Sequence, residues 1–268
     1  MAVANSIIIV NFNAKAALSA LLTTMRLDEA TVTETIVVDS NSFDGSADFV
    51  RQSFPQVKVV QCETNTGFAA AANRGIREAE GDVAVLVQSD VLATVHVLTE
   101  LCDFVREGRS RRIAAAIPRI LGPDMQEQPT VCLLPGTMAG IIGAFAPSRA
   151  IRCDTPSLDH VADHEYATAV CMALDLAALA RVGDFDESFF LHYADADLCL
   201  RLHEKQFRIV VAKKLSVVHE TDARQAPPAH LERLIRKGQM RFFEKHRGGI
   251  GLTMVRAAMK VAGWMKKD

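Results

Sequence analysis

Two aspartates, Asp195 and Asp197, stand in the segment best suited to acid–base chemistry, GDFDESFFLHYADADLCLR at residues 183–201. The apolar spacing after Asp197 predicts that a helix begins here. Because the dipole and free N–H groups of a helix start favour an ionised carboxylate, Asp195 is predicted to be a deprotonated acceptor at neutral pH, as a general base requires. Asp197 and Arg201 have the (i, i+4) spacing of an ion pair on an exposed helix face, which makes Asp197 the structural member.

A second interpretation of Asp195 is that it only caps the helix, since aspartate is common there for the same electrostatic reason. The acids before it, Asp184, Asp186 and Glu187, are expected to order the loop, with acceptor contact as the alternative. Nothing supports more than a structural role for His192. Aromatic side chains in this segment can pack in the core or stack on a sugar face, and packing is the commoner role: Phe185, Phe189, Phe190 and Tyr193.

The composition is that of an ordinary soluble protein with enough apolar residues for a large core: 268 residues, 49% of them hydrophobic, and a net charge of −2. This charge implies no nucleic-acid partner. The N-terminal apolar run lacks a preceding basic region and ends at an asparagine, so it is predicted to be a strand and not a signal peptide. The longest uncharged apolar stretch, residues 137–147, is too short and glycine-rich to span a bilayer, and the chain is expected in the cytosol.

The cysteines are scattered without a CxxC pair, so neither a zinc site nor a redox motif is indicated. Most lie in apolar runs, where a thiol behaves as a small hydrophobe. All six are therefore expected to remain reduced: Cys62, Cys102, Cys132, Cys153, Cys171 and Cys199.

The first 90 residues alternate short β-branched runs with amphipathic stretches. Helices are predicted at residues 15–25, 45–53 and 68–79, between four runs that are apolar on both faces. This pattern is typical of right-handed βαβ units, so we predict an α/β fold with a doubly wound, mostly parallel sheet and helices on both faces. Ligands of such sheets bind beyond the carboxyl ends of the strands.

Polar residues follow each of these four strands, which suits a nucleoside that offers both donors and acceptors. Loops are polar in general, but that explanation fits the whole set poorly. Gly67 is expected to permit a close backbone approach, and the N-terminus of the following helix could meet a phosphate. Neither GxGxxG nor GxxxxGK[ST] is present, which disfavours nicotinamide dehydrogenases and P-loop NTPases. The strand-end residues are Asn11, Asn13, Asp39, Ser40, Asn41, Glu63, Asn65, Ser89 and Asp90.

The second half of the chain is less regular. Residues 111–120 read as a strand stopped by Pro118, residues 121–156 as a loop or hairpin, and residues 207–220 as two short strands with His219 at the exit of the second. The last 40 residues predict basic amphipathic helices. Two interpretations of these helices stay open, contact with an anionic membrane surface and packing against the domain.

With these residues in view, the chain resembles the family 2 glycosyltransferases, inverting nucleotide-sugar transferases of GT-A fold, and in particular their bacterial rhamnosyltransferase-like branch. The match runs in order over about residues 6–246. It implies a GT-A catalytic domain at residues 1–225, with a nucleotide-binding half to about 110 and an acceptor-binding half from about 111, followed by C-terminal helices at 226–268. The matching blocks are VNFN, IVVDSNSFDGS, NTGFAAAANRGI, VLVQSDV, GDFDESFF, YADADLCLR and VVHE.

The resemblance also implies roles for single residues. Asp195 falls on the catalytic base. Asp90 stands at the last position of the DxD-like metal motif and His219 at the distal histidine, which implies Mn²⁺ or Mg²⁺, with imidazole favouring Mn²⁺. The donor site would comprise Asn11, Asn13 and Asp39 at the base and ribose, Asn65, Gly67 and Asn73 near the ribose and diphosphate, and Ser89 with Asp90 in the metal motif.

Two residues depart from the family pattern: Gln88 replaces an Asn or Asp, and Ala194 replaces the Glu before the base. The implied function is transfer of a sugar, with rhamnose as one option, from a UDP- or dTDP-sugar to a saccharide or lipid-linked saccharide in cell-surface polysaccharide assembly. The enzyme would be cytoplasmic, with peripheral membrane contact through its C-terminal helices as an option. The alternative is a catalytically silent nucleotide-sugar-binding subunit. Nucleotidyl transfer fits less well, because no glycine-rich basic loop follows the first strand.

Overall fold

A computed structural model describes residues 5–26, 33–145, 153–155, 159–221 and 229–263. The strands are β1 (Asn5–Asn11), β2 (Thr33–Asp39), β3 (Lys58–Gln61), β4 (Val83–Gln88), β5 (Val91–Leu92), β6 (Ile113–Leu121), β7 (Val131–Leu133), β8 (Cys153–Asp154), β9 (Glu165–Ala167), β10 (Cys171–Asp175) and β11 (Arg208–His219). The α-helices are α1 (Lys15–Met25), α2 (Ser46–Ser53), α3 (Gly67–Glu78), α4 (Val95–Glu107), α5 (Thr137–Phe145), α6 (Leu176–Val182), α7 (Ala194–Glu204), α8 (Ala229–His246) and α9 (Gly249–Val261).

The central sheet has the strand order β3-β2-β1-β4-β10-β6-β11-β5. Strands β1 to β4 pair in parallel, as do β6 and β11, whereas β10 is antiparallel to both of its neighbours and β5 is antiparallel to β11. The predicted α/β, mostly parallel sheet is therefore confirmed. Because β1, β2 and β4 run in the same direction, their carboxyl ends meet at one edge.

Helices cover both faces of this sheet because successive strand residues point to opposite sides. In β1, Ile7 and Ile9 pack in a core with α1 and α4, while Ile8 packs in a second core with α3 and α7. All three isoleucines are fully buried. The apolar character of both faces, read from the sequence, thus reflects burial on both sides.

The predicted stop at Pro118 is wrong, since β6 continues to Leu121. Proline lacks the N–H needed in a ladder and is accommodated at irregularities. Here Ala212 pairs with Pro118, and pairing resumes with Ser216 opposite Arg119, so β11 carries a bulge. The two short strands predicted for residues 207–220 are accordingly one bulged strand.

The segment predicted as a loop or hairpin contains β7, α5 and β8, and with β9 it builds a three-stranded antiparallel sheet in the order β8-β7-β9. Cys132 and Cys153 are register partners in this sheet and form a disulfide. The expectation that all six cysteines stay reduced is therefore wrong for this pair. Nothing in the linear spacing of 21 residues indicated that the two strands are neighbours.

The C-terminal helices pack onto the rest of the chain. Helix α8 buries Ile235 and Phe242, and α9 buries Val255 and Met259. The predicted domain boundary at residue 225 and the last residues of the C-terminal segment, 264–268, lie outside the described residues. Among the described helices, none combines the length and apolar character needed to cross a bilayer.

Candidate active site

A buried pair of polar side chains lies at the carboxyl ends of β1 and β2. Asn11 and Asp39 are register partners and have no solvent exposure. Asn11 donates Nδ2–H to Oδ2 of Asp39 at 2.9 Å, and the backbone N–H of Ser42 donates to Oδ1 of Asp39 at 2.8 Å. The Oδ1 of Asn11 is buried and has no hydrogen-bond partner among the described residues. A ligand donor group would relieve this oxygen, because an unpaired buried acceptor costs about 1–3 kcal/mol.

The loops after β1 and β2 are joined by Asn13, whose φ of 50° is left-handed. Its Oδ1 accepts the backbone N–H of Phe43 at 2.9 Å, and its own N–H donates to Oγ of Ser42 at 2.8 Å. Phe12 and Phe43 meet edge to face at 6.5 Å and remain 45% and 87% exposed. We did not anticipate these aromatics from the sequence, although apolar side chains in otherwise polar loops at a ligand edge were the available signal.

The N-terminus of α3, predicted to meet a phosphate, is covered by protein groups. The N–H of Gly67 donates to Oδ1 of Asn65 at 3.0 Å, and the N–H of Phe68 donates to the carbonyl oxygen of Phe190 at 2.7 Å. Gly67 does permit a close backbone approach, but the approaching backbone belongs to Phe190. The N–H of Phe68 is thus engaged by the segment that precedes the proposed base, and the N–H of Gly67 by the loop that precedes α3.

Asn73 forms hydrogen bonds to the same segment, the loop that precedes the proposed base. Its side chain is 3% exposed, and its Nδ2 donates to the carbonyl oxygen of Phe185 at 2.8 Å and to Oε1 of Glu187 at 3.0 Å. Its Oδ1 accepts the N–H of Phe185 at 3.0 Å. Both amide hydrogens and the amide oxygen are therefore used by the loop. Asn73 positions this loop instead of presenting an open side chain at the donor edge.

Gly67→Ala tests the contact between α3 and this loop. Gly67 has a φ of +80°, and a Cβ there would lie 2.1 Å from the carbonyl oxygen of Phe190. We expect the free energy of unfolding, measured by urea titration, to fall by more than ~2 kcal/mol, because strain and a backbone clash add. The matched control is Gly136→Ala, since a Cβ at Gly136 meets nothing within 4 Å. Equal stability of the two variants would contradict the contact.

Asp90 and His219 are brought together by the antiparallel pairing of β5 with β11, in which His219 opposes Val91. The Nε2 of His219 lies 3.2 Å from Oδ2 of Asp90, and Oγ1 of Thr221 donates to the same oxygen. Burial raises the pKa of Asp90, but the hydrogen bonds from His219 and Thr221 outweigh it and leave the pKa below its usual value. The carboxylate is thus ionised and faces an imidazole.

Gln128 fixes the orientation of the histidine ring, and sequence reasoning missed it. It is fully buried, and its Nε2 donates to the backbone carbonyl oxygens of Thr221 at 2.9 Å and His219 at 3.3 Å. Its Oε1 must therefore accept from Nδ1 of His219 at 3.0 Å. In the neutral ring the lone pair of Nε2 then faces Oδ2 of Asp90, whereas in the doubly protonated ring Nε2–H donates to this oxygen. Two acceptors at this distance require a proton or a metal ion between them.

This donor set fits a divalent cation. A carboxylate and an imidazole whose other nitrogen is held by a buried amide form the usual arrangement of a metal ligand and its supporting partner. No group of three or more His, Cys, Asp or Glu side chains with metal-binding geometry occurs among the described residues. Any ion held by Asp90 and His219 would complete its coordination with water and ligand oxygens. Ser89 is buried beside Asp90 in the turn between β4 and β5.

Asp195 is the second residue of α7, whose N-cap is Tyr193 in a left-handed conformation. It is therefore not the N-cap. Its Oδ2 accepts the N–H of Ala169 at 3.3 Å and its Oδ1 that of Ala196 at 2.9 Å. Burial outweighs these bonds and raises the pKa of Asp195 to about 6. We expected ionisation to be favoured at this helix start. The carboxylate is still largely deprotonated at pH 7, but its pKa lies closer to neutral pH than that of an ordinary aspartate.

Asp197 is structural, as predicted, but its position is fully buried and not on an exposed face. Its Oδ2 accepts from Nε of Arg201 at 2.9 Å, and its Oδ1 contacts Lys245 at 2.7 Å and His246 at 2.6 Å. Lys245 also donates to Oδ2 of Asp186 at 2.7 Å. The basic end of α8 is thus paired with acids on both sides of the base, and for this part of the helix packing is the observed arrangement.

Asp197→Ala should destabilise the fold strongly. The change leaves Arg201 and Lys245 facing a site without its carboxylate, and breaking a buried ion pair by removing one partner costs about 3–5 kcal/mol. Urea unfolding monitored by circular dichroism measures this loss. Asp48→Ala is the control, because Asp48 forms an exposed pair with Arg51 and such pairs are worth less than about 1 kcal/mol. A loss at Asp197 no larger than that of the control would contradict the buried network.

Comparison with known proteins identifies the family. A family model described as glycosyl transferase family 2 matches residues 6–142, which is just over half of the chain. The chain belongs to glycosyltransferase family 2. It is a glycosyltransferase, as the sequence motifs predicted, and the rim of polar residues at the carboxyl edge of its sheet lies within the matched region.

Family 2 relatives and GT-A structures are similar over most of the chain. N-acetylglucosaminyl-diphospho-decaprenol L-rhamnosyltransferase of Mycobacterium tuberculosis is 26% identical over 219 residues, covering 73% of this chain and 70% of the relative. Mannosyltransferase PcManGT from Pyrobaculum calidifontis, solved with GDP-Man and Mn²⁺, shares the fold with a TM-score of 0.57 at 15% identity, covering 98% of this chain and 76% of that one. S. aureus TarS 1–349 with UDP-GlcNAc gives a TM-score of 0.57 at 15% identity, covering 96% and 70%.

The two departures from the family pattern have different surroundings. Ala194 is fully buried directly before Asp195, so no charged neighbour on that side adds to the effect of burial on the base. Gln88 is partly exposed at the end of β4, and its backbone N–H donates to the carbonyl oxygen of Val170 at 3.0 Å.

The aromatic residues before the proposed base are mostly buried. Packing is the observed role of Phe185, Phe189 and Tyr193, while Phe190 is 41% exposed.

Proposed function

We propose that this family 2 enzyme is a metal-dependent, inverting glycosyltransferase that uses a UDP- or dTDP-sugar. The observation that carries the proposal is the carboxylate and imidazole pair beside the carboxyl edge of the sheet, in which Nε2 of His219 lies 3.2 Å from Oδ2 of Asp90. A divalent cation can take the place of the proton between these two atoms, and a nucleotide diphosphate is the ligand that such a cation serves.

The nucleoside would occupy the edge formed by the ends of β1 and β2. The unpartnered Oδ1 of Asn11 would accept a hydrogen bond from the base or ribose, while Asp39 and Asn13 hold the loops that frame the site. The exposed rings of Phe12 and Phe43 offer apolar surface for the base. Gly67 and Asn73 contribute by joining α3 to the loop that precedes the proposed base, and Asn65 contributes by capping the N–H of Gly67 at the start of α3.

Asp90 and His219 would hold Mn²⁺ or Mg²⁺, with Gln128 fixing the imidazole. When bound, the ion would neutralise the diphosphate as its bond to the sugar breaks. Ser89 shapes the turn that presents Asp90. An imidazole ligand favours Mn²⁺ over Mg²⁺. The mannosyltransferase from P. calidifontis, solved with Mn²⁺, supports this choice.

Asp195 would act as the general base. It would take the proton of an acceptor hydroxyl while that oxygen forms a bond to the anomeric carbon, and the bond from this carbon to the diphosphate oxygen would break on the opposite face. The nucleoside diphosphate would leave with the bonding electrons, and the anomeric configuration would invert. A base with a pKa of about 6 suits this task, because it is deprotonated at neutral pH yet basic enough to take a proton.

The acceptor we propose is a saccharide or lipid-linked saccharide at the inner face of the cell membrane, and the sugar we propose first is rhamnose. The support is the mycobacterial relative, whose name describes rhamnosyl transfer to a lipid-linked N-acetylglucosamine. Transfer to an acceptor of this kind would take place at a membrane surface, so we also propose peripheral membrane contact.

The test is a donor and acceptor matrix. Purified protein is incubated with Mn²⁺, a panel of UDP- and dTDP-sugars including dTDP-rhamnose, and polyprenyl-diphosphate N-acetylglucosamine or soluble saccharides. Mass spectrometry detects the added sugar and NMR reads the anomer. We expect one donor to give an inverted product. Nucleotide binding with no transfer in any combination would favour the catalytically silent subunit, and a retained configuration would contradict the single displacement.

A further inference from the structure

Two helices leave apolar side chains on the outside of the molecule. In α5 and α9 these side chains recur at helical spacing and are 42–81% exposed, and they account for six of the eleven exposed large apolar residues in the described part of the chain. We call them the α5/α9 surface: Met138, Ile142, Phe145, Ile250, Met254 and Val261. Such clustering on two adjacent helices differs from the isolated exposed apolar residues that are normal on soluble proteins.

The α5/α9 surface is separate from the contact that holds the two helices together. A Cβ on Gly140 would lie 2.6 Å from Val255 and 2.7 Å from Phe243, so α5, α8 and α9 pack closely there. Ala144, Phe243, Val255 and Met259 form the small core between them. The inward stripe of α9 therefore packs against α5 and α8, whereas the side chains of its outward stripe are 48–81% exposed.

The charged residues at the border of this surface are mostly basic. Neither α5 nor α9 contains an acidic residue, and α5 has no charged residue at all. Arg256 and Lys260 border the outward stripe of α9. Arg256 contacts Glu244 at 2.9 Å, and Arg233 and Lys237 are exposed on the same face of α8 as Glu244, at positions i−11 and i−7. An apolar surface with a basic border is complementary to an anionic bilayer.

We propose that the α5/α9 surface docks the protein on an anionic lipid bilayer, with both helices lying in the plane of the headgroups. The inference rests on the membrane contact of the proposed function and refines its location: of the C-terminal helices α9 makes this contact, and α5 joins it. The basic residues near the end of α8, Lys245 and His246, are committed to Asp186 and Asp197. Helix α5, from the predicted acceptor half, supplies half of the membrane surface instead.

The test is vesicle co-sedimentation of the full chain. Vesicles of phosphatidylcholine with phosphatidylglycerol should retain the wild type, and pure phosphatidylcholine should retain less. The double variant Ile142→Gln/Ile250→Gln should partition at least ~10-fold more weakly, because the two changes together remove apolar burial worth at least about a factor of ten. Thr253→Gln is the control, since Thr253 is exposed on α9 and already polar, so the change introduces glutamine without removing a large apolar side chain. Deleting α9 is unsuitable because it would uncover Phe243.

Partitioning of the double variant equal to that of the wild type, or no binding of the wild type to anionic vesicles, would overturn the proposal. Sedimentation velocity without lipid tests whether a second copy of the chain occupies the α5/α9 surface instead of a bilayer. A wild-type dimer that the double variant converts to a monomer would assign the surface to a second copy of the chain. Calorimetric nucleotide binding by each variant separates these outcomes from failure of the proposed transferase function, because the donor site does not involve these residues.

Discussion

Asp195→Asn is expected to lower turnover by at least ~10²-fold while nucleotide binding stays near the wild-type level. The variant keeps the shape of the side chain but removes the group proposed to take the acceptor proton, and a positioned base contributes ~10²–10⁴-fold. Initial rates of sugar transfer at saturating donor measure the effect. Asp163→Asn is the control, because Asp163 is 98% exposed in the same half of the chain. Full activity of the Asp195 variant would remove the base assignment.

The pH dependence follows from the same residue. Since the pKa of Asp195 is raised to about 6, turnover should be constant above that pH and fall about tenfold per unit below it. The pH dependence of folding stability that arises from Asp195 has the opposite sign to that of turnover. Between about pH 4 and 6 the folded chain holds a proton that the unfolded chain has released, so this contribution is present at low pH and is lost as pH rises through 6. At pH 7.5, Asp195→Asn should therefore melt no lower than the wild type.

Asp90→Ala is expected to abolish Mn²⁺ binding in the presence of nucleotide, and Gln128→Leu is expected to weaken it by about 10–100-fold. The first change removes a proposed ligand. The second leaves both ligands but frees the imidazole, and loss of such a supporting partner typically has this magnitude. Electron paramagnetic resonance of unbound Mn²⁺ measures both affinities without reference to activity. Wild-type affinity in both variants would place the metal elsewhere.

The sequence predicted the nucleotide-binding half well because its elements are local and regular. Helix α1 begins and ends at the predicted residues, and the four strand runs became β1 to β4. The apolar runs of β1, β2 and β4 are buried on both faces, whereas β3 lies at the edge of the sheet and is partly exposed, and each helix has its own period. The pattern of residues 6–88 therefore carried enough information to predict the sheet and the polar edge at its carboxyl end.

The proposed metal site could not be predicted from spacing, because Asp90 and His219 meet only through the pairing of β5 with β11. The family resemblance supplied the two residues, whereas Gln128, in an irregular segment before β7, carried no linear signal. The bulge that accommodates Pro118 and the pairing of Cys132 with Cys153 were missed for the same reason, since each depends on a strand neighbour that is distant in sequence.

The character of α7 shows where a local rule gives way to burial. The dipole of a helix start favours an ionised Asp195, but the surrounding protein raises its pKa. Its neighbour Asp197 has the spacing of a surface ion pair, yet α8 covers it and adds Lys245 and His246 as partners. Both outcomes depend on which elements pack against the helix, and one helical period does not contain that information.

Calorimetric titration of wild type and Asp90→Ala with UDP, dTDP and GDP, each with and without Mn²⁺, tests the central claim most directly, because it needs no knowledge of the acceptor. The account predicts that UDP or dTDP binds tightly to the wild type with Mn²⁺, weakly without it, and weakly to the variant under both conditions. Binding that is equal with and without Mn²⁺, or no binding of any of the three nucleotides, would contradict a metal-dependent transferase.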